Sequence, residues 1–149
     1  MDYTGVDITP DFIEIAHERF PGVPFLVGDA RSLPFEDKSF DTVLCFFVLV
    51  HLNREGVALA MKELTRVARK QVLLAGYFSQ VRVYGQQKTK EDEFIYDSVG
   101  FDELKVPGWK VFGHVEEEPK AIRVPSINEE GERETVYLEC RSFIRLVRA

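Results

Sequence analysis

Cysteine and histidine are scarce in this sequence, and their scarcity narrows the chemistry open to it. The two cysteines, Cys45 and Cys140, stand in separate apolar, strand-like runs, and the three histidines, His17, His51 and His114, share no ligand spacing. A metal centre and a disulfide are thereby disfavoured, and both thiols are expected to be buried and reduced. The 10 glycines are dispersed, so there is no glycine-rich loop of the kind that cradles phosphate. Basic charge is short as well: 19 Lys and Arg against 25 Asp and Glu give a net charge of −6, with both signs intermixed. Such a surface is not suited to tracking nucleic-acid phosphates. No apolar run approaches the roughly 18 residues of a membrane span, and the N-terminus has no basic-then-apolar leader pattern. The expected setting is cytoplasmic, with neither nucleic acid nor membrane as partner.

What is present is a regular alternation of strand and helix signals over 149 residues, a length that fits one domain with a real core. Gly5-Val6-Asp7-Ile8 reads as an apolar strand ending in a carboxylate. Thr9-Pro10 then starts a helix, with a hydroxyl to cap free amides and a proline at the first helical position. Phe12, Ile15, Ala16 and Phe20 fall on one face at helical spacing, and Pro21-Gly22 ends the helix. Val23 to Val27 is a short strand, followed by a turn at Gly28-Asp29-Ala30. The run Phe40 to Val50 is too continuous for a half-exposed strand and reads as one buried on both faces. Asn53 caps a helix whose apolar positions Val57, Ala60, Met61, Leu64, Val67 and Ala68 recur at intervals of three and four. Gln71 to Phe78 is the next strand. This order predicts an α/β fold with a mainly parallel sheet and helices on both faces.

The last third is more polar and reads differently. A short helix is expected near Glu91 to Asp97 and a helical turn at Phe101 to Leu104. Trp109 to Glu118 reads as a strand, Ala121 to Ile127 as a proline-interrupted edge strand, and Thr135 to Val147 as a long final strand. Asn128 to Arg133 is the loop of an antiparallel hairpin that closes the sheet. No repeat, low-complexity segment or linker marks a second domain.

Four segments in order, Gly5 to Pro10, Gly28-Asp29-Ala30 with Leu33-Pro34-Phe35, Ser39 to Val43, and Leu49-Val50-His51-Leu52, carry a resemblance. Together they are similar to the Rossmann-like S-adenosylmethionine-dependent methyltransferases that act on small molecules. The resemblance implies a single domain over 1–149, with a cofactor side at 1–78 and a substrate-side, sheet-closing region at 79–149. It implies S-adenosylmethionine as cofactor and S-adenosylhomocysteine as product.

Roles follow residue by residue from the same resemblance. Asp7, at a strand tip, would accept the two ribose hydroxyls, and Ile8 would pack on the adenine face. Asp29 would accept from the exocyclic amine of adenine while the amide of Ala30 donates to a ring nitrogen, a pair that separates adenine from guanine. Cys45 and Phe46 stand where the family lines the methionyl part, although Phe46 is bulky for that place. Each position also has a plain reading: a helix-flanking acid for Asp7, a core residue for Ile8, a turn acid for Asp29, space-filling for Phe46. His51 matches a histidine the family often carries; a base or orienting role is open to it, but methyl transfer seldom demands one, and capping or packing is the favoured reading. No catalytic residue is assigned.

Two departures from the family pattern stand out. The helix of Leu64 runs through Arg69-Lys70-Gln71 into the next strand without the usual Pro-Gly-Gly turn. The family's first strand, its glycine-rich loop and the following helix are missing, a unit of about 30 residues. That strand is central in the family's sheet, so the strands of Val6 and Val43 are expected either to close up or to leave edges that a second copy covers, which favours a homodimer. Three readings remain open: a methyltransferase, a non-catalytic pseudoenzyme that binds a partner, and an adenosine-nucleotide binding module. The acceptor is not specified; Tyr77, Tyr84, Tyr96 and Trp109 suit a planar or apolar molecule and suit simple packing as well.

Overall fold

The computed structural model describes residues 3–79, 84–88, 93–97, 99–116, 122–127, 133–138 and 141–149. Strand β1 (Gly5–Asp7) leads into helix α1 (Pro10–Arg19) and returns as β2 (Phe25–Val27). The two strands pair in parallel, Gly5 opposite Phe25 and Asp7 opposite Val27. A two-stranded ladder is marginal alone. Here it is backed by α1 through buried Ile13 and by an aromatic cluster in which Tyr3, His17 and Phe20 surround the Phe25 ring. Pro10 occupies the first turn of α1 as expected, but the Thr9 hydroxyl makes no cap bond. The Thr9 amide instead donates to Asp7 Oδ1 at 2.8 Å. The apolar face of α1 is also narrower than its spacing suggests: Phe12, Ile15 and Phe20 stay exposed, because a ladder of two short strands shelters little more than Ile13.

The larger sheet has five strands: β3 (Phe40–Phe46), β4 (Ala68–Ser79), β7 (Val99–Gly100), β8 (Trp109–Glu116) and β11 (Arg141–Arg148). Its order is β3-β4-β11-β8, with β7 beside the far end of β4. β3 and β7 run parallel to β4, whereas β11 is antiparallel to both β4 and β8. The architecture is therefore a mixed α/β sheet. Helix α2 (Arg54–Val67) covers one face. Its Val57, Ala60, Met61 and Leu64 form one cluster with Cys45, Val72, Leu74, Ile144 and Leu146. Sheltering each of the larger side chains is worth about 1.5–3 kcal/mol relative to exposure. The core thus lies between α2 and the β3-β4-β11 strands, on the helix face predicted from spacing.

Both ends of α2 are explained by single side chains. Asn53 Oδ1 accepts from the Gly56 amide at 2.8 Å, satisfying one of the free N-terminal donors. At the other end the chain passes from Val67 straight into β4, Ala68 already being extended at φ −80° and ψ 132°. The orphan carbonyls there are met from across the sheet: Arg148 Nη2 donates to Ala68 O at 3.0 Å and Thr65 O at 3.2 Å. The same guanidinium lies 4.9 Å from the centre of the Trp109 ring. A glycine turn is unnecessary because an arginine of β11 does its capping work.

Several expectations are corrected. The run Phe40 to Val50 is not one strand: β3 ends at Phe46, and Leu49–His51 is a 3-10 turn. The break falls at Phe47, which adopts a left-handed φ of 57° and donates its amide to Ala75 O. Nor is β3 buried on both faces. Cys45 turns into the core, but Leu44 and Phe46 on the alternate face are 50% and 49% exposed. The helix expected at Glu91 to Asp97 is strand β6 (Glu93–Asp97), antiparallel to β5 (Tyr84–Lys88); Phe94-Ile95-Tyr96 is the β-branched and aromatic composition that favours a pleated ladder. Over the span read as the final strand, β10 (Arg133–Leu138) pairs with β9 (Ile122–Ile127), while β11 serves β4 and β8. Strand β2 is shorter than read, while β8 begins at Trp109 as expected and the helical turn expected at Phe101–Leu104 is present as a 3-10 helix. The hairpin loop at 128–132 and Cys140 lie outside the described residues.

Among the described residues β1 pairs with β2 alone and β3 with β4 alone, so each keeps a free edge. Among the described residues no helix is long and apolar enough to cross a membrane.

Candidate functional site

The parallel register of β1 and β2 puts their C-terminal ends side by side, and a turn leaves each. Asp7 is the last residue of β1 and sits opposite Val27, the last of β2. The Gly28 amide then donates to Asp7 O at 2.9 Å, extending the ladder one step and bringing Asp29 close behind Asp7. A Cβ at Gly28 would lie 2.9 Å from Val6 Cγ1, so glycine is what lets the turn hug β1.

The polar groups at this corner are only partly used by the protein itself. Asp7 Oδ1 accepts from Thr9, whereas Oδ2 has no partner among the described residues. Asp29 takes the Arg31 amide and Nε on Oδ1 and the Arg31 fork on Oδ2, at 2.5–3.0 Å. The Arg31 guanidinium and then its amide hold the Asp29 carboxyl below the usual carboxylate range, so it remains an ionised acceptor. The Ala30 amide between them makes no hydrogen bond among the described residues. Ile8 is 63% exposed beside this corner. The structure therefore gathers Asp7, Ile8, Asp29 and Ala30 into one place, offering a carboxylate oxygen, a second carboxylate, a free N–H and an apolar flank.

The other two candidates lie at the end of β3, with side chains on opposite faces. The Cys45 side chain is in the core, where burial pushes its thiol up to about 12. Phe46 faces the opposite way, half exposed, and precedes the left-handed Phe47, a conformation that costs a non-glycine residue about 1–3 kcal/mol. Strain of that size concentrates at functional ends of strands, and no sequence signal pointed to Phe47. His51 is exposed in the 3-10 turn. Among the described residues no group of three His, Cys, Asp or Glu is placed to hold a metal.

The segment joining this corner to β3 carries no helix or strand, yet it is held at many points by Glu63 and Arg66 of α2. Glu63 Oε2 accepts the Leu33 amide at 2.8 Å, and Arg66 donates to the carbonyls of Leu33 and Phe35 and to Asp37. Sequence reading passed over both residues. Their one signal was the Glu-x-x-Arg spacing, which on most helices is an ordinary surface pair.

The family model described as "Methyltransferase domain" matches residues 1–75. This chain belongs to that family. Its relatives agree: a demethylmenaquinone methyltransferase of Chlorobaculum tepidum is 39% identical over 66 residues, 44% of this chain and 26% of that protein. A probable phthiotriol/phenolphthiotriol dimycocerosates methyltransferase of Mycobacterium ulcerans is 31% identical over 145 residues, 96% of this chain and 51% of that protein. The methyltransferase-domain chain thus spans about half the length of the latter relative and a quarter of the former. Among solved structures, a SAM-dependent methyltransferase of Methanosarcina mazei superposes with a TM-score of 0.66 at 18% identity, covering 97% of this chain and 80% of that one. The fold is that of Rossmann-like S-adenosylmethionine-dependent methyltransferases, and the cofactor of the family is S-adenosylmethionine.

Proposed function

We propose that this methyltransferase-domain chain binds S-adenosylmethionine by its adenosine half and serves methyl transfer to a small-molecule acceptor. The observation that carries the reading is the corner itself: Asp7 Oδ2 and the Ala30 N–H have no partner among the described residues, and the Gly28 amide bonds Asp7 O between them. Unpartnered polar groups at one rigid corner fit a ligand with a vicinal diol and an amino-heterocycle edge. Asp7 accepts the ribose hydroxyls, Asp29 accepts the exocyclic amine, Ala30 donates to the ring and Ile8 covers a face. S-Adenosylmethionine, when bound, supplies a methyl group on a sulfonium. The chain's contribution is to bind and orient; no residue of it is assigned a proton transfer, consistent with a reaction governed by positioning. The backbone at Cys45 and Phe46 completes the methionyl side.

The names of the two curated relatives, a quinone and a lipid methyltransferase, support an apolar small-molecule acceptor. The resemblance sets the family's first strand between β1 and β3, each of which keeps a free edge among the described residues, and Leu44 and Phe46 of β3 are exposed. We read this chain as one unit that self-associates to cover those edges; a native mass showing monomer alone removes that part. Calorimetric titration tests the main reading. Heat with S-adenosylmethionine and S-adenosylhomocysteine, and weaker binding of free adenosine, is expected. Silence with all three refutes it, and equal binding of adenosine favours a plain nucleoside-binding module.

A further inference from the structure

We infer that Glu63 and Arg66 are positioning residues for the adenine end of the site, acting through the Leu33–Lys38 segment to set where Asp29 and Ala30 stand. The inference rests on the reading of that corner as the adenosine site.

Arg66 uses every donor it has. Its Nε bonds Glu63 Oε1 at 2.8 Å; Nη1 bonds Phe35 O at 2.7 Å and Asp37 Oδ1 at 2.9 Å; Nη2 bonds Leu33 O at 3.0 Å and Glu63 Oε2 at 2.8 Å. Five bonds match the five N–H groups of a guanidinium. The Arg66 carbonyl also accepts the Lys38 amide at 2.8 Å. Glu63, in turn, takes the Leu33 amide. Both backbone groups of Leu33 are therefore gripped by one carboxylate–guanidinium pair, much as a neighbouring strand would grip them.

The consequence lies four residues upstream. The turn from Asp29 to Ser32 is closed by the Ser32 amide on Asp29 O at 2.9 Å. It is then suspended between two anchors: Gly28 on Asp7 behind it and Leu33 on Glu63 and Arg66 ahead. The first anchor fixes the turn to the ribose side, the second to α2. Arg31 orients the Asp29 carboxylate and Ala30 packs against the core; the Glu63–Arg66 anchor adds the hydrogen bonds that tie the turn to α2, and its release lets the turn shift against an adenine edge. Lysine cannot substitute, having a single point charge and no fork. Glutamine at 63 places an NH2 against either the Leu33 amide or Arg66 Nε, a donor facing a donor.

A pair that merely tightened the fold would lower stability without altering which base is preferred. The readout is therefore the ratio of affinities for S-adenosylhomocysteine and S-inosylhomocysteine, which differ where Asp29 and Ala30 would read the base. The unaltered chain is expected to prefer the adenine compound. Arg66→Lys and Glu63→Gln are expected to reduce that preference on the order of tenfold, with circular dichroism showing both still folded. Arg54→Ala, which removes the exposed pair between Arg54 and Asp102 at the start of the same helix, is expected to leave it intact. A preference unchanged in both clamp variants overturns the inference and leaves the cofactor reading standing. Absence of preference in the unaltered chain overturns both. If Arg66→Lys fails to fold, Glu63→Gln alone decides, in the same two directions.

Discussion

Replacing Gly5 with alanine sets a methyl group against the ring that holds β1 to β2. The new Cβ would lie 2.4 Å from Phe25 Cδ1 and 2.6 Å from Cε1, distances that real side chains do not tolerate. Tyr3, His17 and Phe20 flank the ring with centroids 6.2, 5.6 and 6.4 Å away, so it yields only by disturbing those contacts. Gly5 lies outside the left-handed region, so the penalty is steric. Overpacking of this kind costs about 1–3 kcal/mol, and the stiffer unfolded chain returns about 0.4–1 kcal/mol. The net expectation is about 1–2 kcal/mol against the β1–β2 pair, enough to raise its opening roughly 5–30-fold. Hydrogen exchange at the amides of Gly5–Asp7 and Phe25–Val27 reads this directly, and S-adenosylhomocysteine affinity should fall with it because β1 carries Asp7. Adding Phe25→Leu, which removes the ring edge, should recover part of the protection. Unchanged protection in Gly5→Ala, or no recovery in the double variant, would refute the packing argument.

Three further outcomes are expected. Asn53→Ala should lose about 1 kcal/mol in urea denaturation, since the Gly56 amide forfeits its cap. Cys45, with its thiol pushed up to about 12 by burial, should resist iodoacetamide at mildly alkaline pH until denaturant is added, and fast labelling of the folded chain would contradict its placement. Glu63 is held below its ordinary 4.5, first by Arg66 and then by the Leu33 amide. A depressed folded value means its stabilisation is complete above the unfolded value and lost as pH falls through the folded one. Glu63→Gln should therefore show a shallower loss of melting temperature on acidification from about pH 5 to pH 3, and a slope equal to that of the unaltered chain would show that Glu63 is not so coupled.

The legible parts of this chain were those governed by local spacing. The core face of α2 and the Asn53 cap follow from a period of three and four and from one side chain reaching one turn ahead. The two acids at strand ends, Asp7 and Asp29, were visible because each closes a short apolar run. The rest depended on partners distant in sequence. Phe40 to Val50 looks uniformly apolar, yet the left-handed Phe47 cuts it, and Cys45 is buried while Leu44 and Phe46 on the alternate face of β3 stay half exposed. Phe94-Ile95-Tyr96 becomes a strand by pairing with Tyr84–Lys88. The cap that replaces a glycine turn comes from Arg148, 80 residues from Ala68 in sequence. Glu63 and Arg66 read as a surface pair because the loop they clamp ends more than two dozen positions earlier.

The central claim is that Asp7 and Asp29, joined through Gly28, form an adenosine-reading corner. Calorimetry with S-adenosylhomocysteine on the unaltered chain, on Asp7→Asn and on Asp29→Asn tests it most directly. Binding by the unaltered chain, weakened on the order of tenfold or more in each variant, with Asp29→Asn alone reducing the preference for adenine over hypoxanthine, is the predicted result. Binding that survives both substitutions unchanged, or an unaltered chain that binds nothing, would contradict the account.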